Sequence, residues 1–334
     1  MPITRISNEV KLKIFLISFI LSLPFWWGIN VLAGSLEKFW LWQEIIKNPQ
    51  ILNAEMSRGI LEKKIKSLEI ERLRAERLQN LDIDAKAVIS VEVDRQGNEK
   101  ILLERNPEES LAIASLTKLM TAFVVFDLKE TYNPSQIITI TENPSIGTNG
   151  AEEEKLEVGD KLSVGNLLNI TLIESNNGAA LALSEPVGHE AFVALMNLYA
   201  KNLSMENTRF INPTGLDYRN ESNMSTALDL IKLAENIIKK YPQIFEISSQ
   251  KSFQAVKFNS KNIEEDIFIE NTNELLREVP NIYGGKTGQT PISSGCLLLV
   301  VKNPKDNNFT LNIVLGSEDR FGDMKQLLRA IGLY

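Results

Sequence analysis

The feature that most limits the possible folds is the placement of strand patterns at the two ends of residues 82–334. Near the start, residues 87–106 contain two alternating segments around a Gln-Gly-Asn turn. Near the end, residues 294–303 and 309–316 form a second pair around the loop PKDNN. Alternation with a period of two between polar turns predicts antiparallel hairpins. Two hairpins so distant in sequence predict an α+β domain whose antiparallel sheet is built from both ends of the domain.

Helical patterns fill the region between these hairpins and close the chain. Apolar residues recur there at the three- and four-residue spacing of a buried helix face. Ser225 or Thr226 is the expected N-cap of one such helix, and Pro242 ends it. We expect these helices to flank the sheet and to form a helical subdomain. The predicted helices cover residues 164–173, 189–203, 225–240 and 320–332.

The N-terminal segment has a different character from the rest of the chain. Residues 14–36 form an uncharged run that is long enough to cross a bilayer. Arg5, Lys11 and Lys13 precede this run, and positive charge in that position favours a cytoplasmic N-terminus. We therefore expect a basic cytoplasmic tail at residues 1–13, a single-pass anchor in the cytoplasmic membrane, and a globular domain on the extracytoplasmic side.

A cleaved signal peptide is the alternative interpretation of this segment. Val31-Leu32-Ala33 has the small-residue character of a cleavage site, so the domain would be secreted after cleavage near Ala33. Residues 37–81 are rich in Glu, Lys, Arg and Leu, which predicts a charged helical spacer. The globular domain is then expected at residues 82–334.

Charge and rare residue types exclude several classes of function. Residues 1–81 contain 12 Lys and Arg against 8 Asp and Glu, whereas residues 82–334 contain 24 against 35. An acidic domain is a poor candidate for nucleic-acid binding. One cysteine, Cys296, and one histidine, His189, make an internal disulfide impossible and a structural zinc site very unfavourable. A Ser-His-Asp triad would have to use His189, which has no partner signal nearby.

A serine and a lysine three residues apart provide the strongest chemical signal. Ser115 and Lys118 lie in the run IASLTKLMTA, whose other residues are mostly apolar. On a helix, residues at i and i+3 share one face. A buried lysine tends to lose its proton, and a neutral amine beside a hydroxyl can act as the base of a nucleophilic serine. The alternative is an N-cap serine beside a lysine that extends to solvent.

Two further motifs follow along the chain. Ser175-Asn176-Asn177 comes after the apolar segment NLLNITLIE, and Lys286-Thr287-Gly288 lies in YGGKTGQT before the last strand pair. Each motif alone is most often a loop or a turn. The three together in this order form a known signature of active-site serine acyl transferases.

With these motifs the sequence resembles the serine D-alanyl-D-alanine carboxypeptidases, the low-molecular-weight penicillin-binding proteins of the peptidase S11-like family. The resemblance covers about residues 83–334 and extends to AKAVISVEVD, FVALMNLYAKNLSMENTRFINPTGLD and STALDLIKLA. It implies a β-lactamase/transpeptidase-like fold. The implied substrates are peptidoglycan peptides ending in D-Ala-D-Ala, with β-lactams as covalent inhibitors and no metal or cofactor.

The resemblance also implies the residues that react. Ser115 would attack the carbonyl between the two D-alanines, and Lys118 would take its proton. Ser175, supported by Lys286, would pass a proton to the leaving amine. Asn177 would hold the substrate amide and position Lys118.

Other positions are assigned to substrate binding by the same resemblance. The backbone N–H groups of Ser115 and Gln289 would form the oxyanion hole. Lys286, Thr287 and Arg320 would bind the terminal carboxylate, which cations and hydroxyls suit. Gly288 would let its strand approach the substrate closely.

The sequence departs from the family pattern at two positions. Many relatives have histidine where this chain has Gln289, which puts any side-chain role at that position in question. The family often has aspartate where this chain has Gly178, and we expect that change to alter packing. The chain ends at Tyr334, so the N-terminal apolar segment is expected to replace the C-terminal β domain and membrane helix of many relatives.

Three alternative functions remain on this basis. A β-lactamase is disfavoured because no E-x-x-L-N-like segment lies between Asn177 and Lys286. A D,D-endopeptidase or transpeptidase acting on peptidoglycan crosslinks would use the same residues. A catalytically impaired, membrane-anchored cell-wall binding protein is the third alternative, and only Gln289 favours it.

Overall fold

A computed structural model describes residues 61–66, 69, 81–141, 155–304 and 306–334. The chain divides into two compact units, residues 1–71 and 72–334. In the first unit, residues 61–66 are helical and exposed. The predicted tail, the predicted anchor at 14–36 and most of the predicted spacer lie outside the described residues. No helix in the described ranges has both the length and the apolar character needed to cross a membrane.

The elements of the second unit are numbered here in chain order. The strands are β1 (Ala87–Val93), β2 (Glu99–Arg105), β3 (Leu111–Ala112), β4 (Ile137–Thr139), β5 (Lys161–Ser163), β6 (Met224–Ser225), β7 (Ser252–Phe258), β8 (Glu264–Glu270), β9 (Ile282–Thr290), β10 (Ser294–Lys302) and β11 (Phe309–Ser317). The helices are α1 (Thr117–Asp127), α2 (Val164–Ile173), α3 (Asn177–Ala182), α4 (His189–Asn202), α5 (Ala227–Lys240), α6 (Gln243–Ser248) and α7 (Arg320–Ala330). Short 3₁₀ helices cover Ala114–Leu116 and Glu274–Arg277.

The predicted sheet from the two ends of the domain is confirmed. Its strand order is β2-β1-β11-β10-β9, and every pair is antiparallel. In β1 and β11, Ala87 pairs with Leu315 and Val93 pairs with Phe309, so the first strand of the domain lies beside the last. The sheet therefore joins the two ends of the domain, as expected for the predicted α+β class.

The sheet is covered on both faces, because alternate residues of its central strands enter two separate cores. Leu298 and Val300 of β10 belong to the larger core, which includes α1, α2 and α5. Leu297 and Leu299 of the same strand belong to the smaller core, which they share with α7. This period-two division is what a strand buried on both faces requires.

The predicted helices are present with small differences at their ends. Thr226 is the N-cap of α5 and accepts a hydrogen bond from the Asp229 N–H at 3.0 Å, while the alternative Ser225 lies in β6. The last helix ends at Ala330 and not at Gly332. Ser163 caps α2 by accepting a hydrogen bond from the Asn166 N–H.

The expectation that only helices lie between the two terminal strand pairs is wrong. A second sheet of order β4-β5-β7-β8 and the short pair β3–β6 lie in that region. Strand β8 has the sequence EEDIFIE, and only Ile267 and Ile269 of it are buried. Most residues of β8 are acidic and exposed, so apolar and polar residues do not alternate along its whole length, and the strand was not predicted.

Candidate active site

The turn that carries Ser115 is held in an unusual backbone conformation. Ser115 lies in the 3₁₀ helix that precedes α1, directly after Ala114, whose φ of 45° is in the left-handed region. That region is unfavourable for residues other than glycine, so neighbouring contacts have to hold it. One of these is the hydrogen bond from the Ile113 N–H to the Asn223 carbonyl at 3.1 Å.

Lys118 lies on the first turn of α1, and its side chain is completely buried. Its Nζ donates to Ser115 Oγ at 2.8 Å, to Asn177 Oδ1 at 2.8 Å and to the Thr214 carbonyl at 2.7 Å. The two acceptors other than the serine, Asn177 Oδ1 and the Thr214 carbonyl, hold the amine in place against the serine hydroxyl. When it is neutral, it can accept the hydroxyl proton, which makes the pair suitable for nucleophilic catalysis.

The second motif lies at the turn between α2 and α3. Ser175 has a φ of 67°, and Asn176 caps α3 by accepting from the Ala179 N–H at 2.9 Å. This cap places Asn177 in the first turn of α3, with its amide oxygen on Lys118. The preceding Glu174 pairs with Lys155 at 2.6 Å. The sharp turn thus projects consecutive polar side chains from the end of a buried helix.

The loop at residues 211–216 provides a partner for Lys118 that the motifs did not indicate. Asn212 Oδ1 accepts from the backbone N–H groups of Thr214 at 3.1 Å and Gly215 at 2.7 Å. This side chain fixes the loop so that the Thr214 carbonyl faces the lysine. The available sequence signal was Gly215, whose φ of 86° favours glycine.

Gly215 also lies against the turn that carries Ser115. A Cβ at this position would be 2.0 Å from the Ala114 carbonyl oxygen and 2.9 Å from the Ser115 nitrogen. No side chain fits there without moving the turn. Only a glycine permits this close packing of the loop.

We expect Gly215→Ala to displace the turn that carries Ser115 and to lower the acylation rate roughly 10²-fold, because small misplacements of reacting groups have large effects on rate. It should also lower the free energy of unfolding. Gly97→Ala is the matched control, since Gly97 has a φ of 83° but no heavy atom within 4 Å of its added Cβ. Denaturant unfolding and penicillin acylation would be measured for both. Equal effects of the two substitutions would contradict the close packing at Gly215.

The third motif forms part of β9, the outer strand of the large sheet, and does not merely precede the last strand pair. This strand was not predicted, because the glycines in IYGGKTGQT disfavour strands. At Gly288, a Cβ would lie 2.9 Å from the Ser115 nitrogen and 3.1 Å from the Ile113 carbonyl oxygen. Strand β9 therefore packs directly against the serine turn.

Lys286 is buried in this strand, and its exposed fraction is 1%. Burial lowers the pKa of Lys286 to about 7, and the positive charge of Arg320 acts in the same direction. Its Nζ donates to the Thr287 carbonyl at 3.1 Å. Near neutral pH this lysine is therefore poised between its neutral and charged forms.

Of the predicted carboxylate-binding residues, Lys286 and Thr287 lie in β9, and Arg320 contacts the end of this strand from α7. Arg320 begins α7, and its Nη1 donates to Gln289 Oε1. Burial lowers the pKa of the Arg320 guanidinium, but arginine keeps its charge in proteins. Thr287 Oγ1 lies 2.5 Å from Thr272 Oγ1, a contact that no sequence motif indicates. Thr272 is also bonded to the end of the helix that precedes the second motif, because its N–H donates to the Ile173 carbonyl at 3.2 Å.

The structure brings some of the nine predicted site residues into direct contact and leaves others without a contact among them. Lys118 contacts Ser115 and Asn177 directly, Gly288 packs against Ser115, and Arg320 contacts Gln289. Within the described residues, no hydrogen bond joins Ser175 to the other eight. His189 begins α4, where its Nδ1 is 2.5 Å from Ser184 Oγ.

The low pKa of Lys286 predicts a pH dependence of stability. Unfolded lysine keeps its proton to about pH 10.5, whereas folded Lys286 loses it above about pH 7. The unfolded state binds more protons between these values, so stability rises with pH by roughly 1 kcal/mol per pH unit. We expect Lys286→Met to remove this rise between about pH 7.5 and 9, measured by denaturant unfolding. An exposed-lysine control, Lys100→Met, should retain it, and a rise of equal size in Lys286→Met would contradict the assignment.

A serine hydroxyl bound to a buried lysine, with an asparagine and a lysine-bearing strand beside it, is the arrangement of an active-site serine peptidase. The chain belongs to the peptidase S11 family, described as D-alanyl-D-alanine carboxypeptidase, which matches residues 74–319. Arg320 lies one residue beyond that range.

Individual relatives agree with the family match. The chain is 34% identical over 241 residues to a D-alanyl-D-alanine endopeptidase of Pseudomonas aeruginosa, covering 71% of this chain and 74% of the relative. It is 30% identical over 243 residues to D-alanyl-D-alanine carboxypeptidase DacF of Bacillus subtilis, covering 72% and 59%. The ampicillin-bound structure of penicillin-binding protein D2 of Listeria monocytogenes superposes with a TM-score of 0.63 at 27% identity, covering 75% of this chain and 98% of that one.

Proposed function

We propose that this chain is a serine-type D-alanyl-D-alanine carboxypeptidase that removes the terminal D-alanine from peptidoglycan stem pentapeptides. Family membership supplies the class of hydrolase. The observation that carries the assignment to residues is the 2.8 Å hydrogen bond between Lys118 Nζ and Ser115 Oγ in a buried site.

The first half of the reaction forms an ester on Ser115. Neutral Lys118 takes the hydroxyl proton as Oγ attacks the carbonyl carbon of the penultimate D-alanine. The backbone N–H groups of Ser115 and Gln289 stabilise the resulting oxyanion. The C–N bond then breaks, and the proton that Lys118 took passes through Ser175 to the leaving amine, which leaves Lys118 neutral again.

The second half restores the enzyme. Water attacks the ester carbonyl and loses a proton to the same base, and the Ser115 oxygen leaves with a proton. Asn177 serves both halves, since its oxygen positions Lys118 and its remaining amide hydrogens are suited to the substrate peptide. The shortened peptide and free D-alanine are the products.

Arg320 and Thr287 are the main residues that bind the terminal carboxylate of the substrate. Arg320 carries a permanent charge beside the strand, and a guanidinium suits a carboxylate. The family resemblance assigns Lys286 to the support of Ser175 and of the carboxylate, and its Nζ lies on the Thr287 carbonyl in the structure. The Gln289 side chain accepts a hydrogen bond from Arg320 and so orients it towards the carboxylate. The backbone N–H of Gln289 is the same whether the side chain is glutamine or histidine, so it can still donate to the oxyanion.

β-Lactams are proposed as covalent inhibitors of the same serine. Their strained amide would acylate Ser115 as the peptide carbonyl does, and their carboxylate would occupy the site at Thr287 and Arg320. The ampicillin-bound relative from Listeria monocytogenes supports this proposal.

A second candidate function is cleavage of crosslinked peptides. It is favoured because the Pseudomonas aeruginosa relative is named an endopeptidase. The same acyl-enzyme on Ser115 serves both reactions, and only the leaving group differs. A transpeptidase would differ in using an amine in place of water.

We also propose that residues 14–36 hold the catalytic domain, residues 82–334, at the outer face of the cytoplasmic membrane. The support is the uncharged run itself and the basic residues before it. Membrane fractionation with N-terminal sequencing tests this: retention of residues 1–36 in the membrane fraction supports an anchor. A soluble product beginning just after Ala33 would show cleavage.

The proposed activity is tested by incubating the full chain with a pentapeptide ending in D-Ala-D-Ala. Release of free D-alanine, measured by chromatography, is the expected result. No release of D-alanine together with the absence of penicillin labelling would contradict the proposed function.

A further inference from the structure

Thr272 lies on the short segment between β8 and the second 3₁₀ helix, and its side chain contacts the strand that carries the third motif. Its Oγ1 is 2.5 Å from Oγ1 of Thr287, a distance at which the two oxygens share a hydrogen. Thr287 is 4% exposed, and within the described residues this contact is the only side-chain hydrogen bond of either threonine. The one protein partner of the Thr287 hydroxyl is therefore a residue outside the nine predicted site residues.

The backbone around Thr272 is bonded on two sides. The end of α2 accepts the Thr272 N–H, as described above. The neighbouring Asn271 Nδ2 donates to the Ser248 carbonyl at the end of α6 at 2.9 Å. Ser248 Oγ in turn accepts from the Gly285 N–H of β9 at 3.0 Å. Because the segment is bonded both to α2 and to the helix that contacts β9, the Thr272 hydroxyl is held in a set position beside Thr287.

The direction of the hydrogen bond between the two threonines follows from what Thr287 has to bind. Each hydroxyl has one hydrogen to donate and two lone pairs with which to accept. An ionised carboxylate can only accept. If Thr287 donated to Thr272, it would have no hydrogen left for the terminal carboxylate of the substrate. Thr287 can therefore donate to that carboxylate only when Thr272 donates to Thr287.

We propose that Thr272 is a positioning residue for recognition of the terminal carboxylate. Its hydroxyl donates to Thr287 Oγ1, which directs the Thr287 hydrogen away from Thr272 and towards the substrate. A hydroxyl that accepts a hydrogen bond is also a stronger donor. The proposal rests on the proposed function, because it concerns the carboxylate of the same D-alanyl-D-alanine peptide. Thr272 thereby contributes to the preference for substrates that end in a free carboxylate.

The test compares kcat/KM for a pentapeptide ending in D-Ala-D-Ala with kcat/KM for the same peptide amidated at its C-terminus, using the full chain. Thr272→Val keeps the shape of the side chain and the backbone N–H bond but removes the hydroxyl. We expect it to lower the free-acid-to-amide ratio about tenfold, mainly by raising KM for the free acid, because Thr287 loses its donor. A merely structural role would lower both values and leave the ratio unchanged. Thr272→Ser restores the hydroxyl and should keep the ratio within about twofold of the wild-type value.

Thr208→Val is the matched control. Thr208 is half-buried like Thr272, and its Oγ1 lies 2.7 Å from Ser225 Oγ, so the substitution removes a similar contact between two hydroxyls that do not belong to the predicted site. It should leave the ratio within about twofold of the wild-type value. A double-mutant cycle needs only the free-acid peptide. Once Thr287 is replaced by valine, Thr272→Val should change kcat/KM by less than about twofold, because the acceptor of its hydrogen bond is gone.

The outcomes separate this proposal from the proposed function. If the wild-type protein releases D-alanine, an unchanged ratio in Thr272→Val or an equal fall in Thr208→Val would overturn the role of Thr272 alone. A fall that Thr272→Ser does not restore, or an undiminished effect of Thr272→Val once Thr287 is valine, would also overturn it. Failure of the wild-type protein to react with penicillin or with the pentapeptide would instead overturn the proposed function.

Discussion

Replacing Ser115 by alanine is expected to abolish both D-alanine release and covalent labelling by penicillin. The hydroxyl is the only group that the proposed mechanism esterifies, so its loss should lower the rate by at least about 10⁴-fold. The fold should persist, because Ser115 lies on a turn held mainly by backbone contacts of its neighbours. Gel fluorescence with a labelled penicillin and chromatography of D-alanine would measure the two losses.

Ser110→Ala is the control for this substitution. Ser110 is exposed and lies five residues before Ser115. The control should label and hydrolyse at the wild-type rate. Retained labelling in a folded Ser115→Ala protein would show that another residue is the nucleophile.

Replacing Lys118 by methionine is expected to slow acylation by about 10²–10⁴-fold, the usual contribution of a positioned base. Methionine roughly preserves the length of the side chain but cannot accept the Ser115 proton. It also leaves Asn177 Oδ1 and the Thr214 carbonyl without the donor they share, which should cost about 1–3 kcal/mol of stability for each buried unsatisfied group. A time course of penicillin labelling with quenched samples would measure the acylation rate, and denaturant unfolding would measure the stability.

Lys100→Met serves as the control because Lys100 is exposed on β2. It should change neither the acylation rate nor the unfolding midpoint. An acylation rate near the wild-type value in Lys118→Met would remove Lys118 from the mechanism. A slowed acylation rate without any loss of stability would contradict the hydrogen bonds of the buried Lys118 amine to Asn177 and to the Thr214 carbonyl.

The sequence predicted the parts of the site that depend on local spacing. The distance between Ser115 and Lys118 follows from helix geometry, and the structure joins their side chains. The large sheet was predictable because β1, β10 and β11 alternate or are strongly apolar, which are signals that burial imposes. The roles of these residues remain predictions from resemblance.

The parts that the sequence did not predict depend on main-chain atoms and distant contacts. The acceptor at Thr214 is a carbonyl, which every residue carries, so no side-chain motif indicates it. The contact between Thr272 and Thr287 joins two segments by tertiary packing. Strand β9 was not predicted because three glycines occupy it, and one of them, Gly288, allows the close approach to Ser115.

The central claim is that Ser115 forms the acyl-enzyme. The most direct measurement is intact-mass spectrometry of the full chain after brief exposure to a penicillin, followed by proteolysis and mapping of the modified peptide. We expect a single adduct, located on Ser115 within the segment IASLTKLMTA. An adduct on Ser175 or any other residue, or no adduct on a folded protein that releases D-alanine, would contradict it.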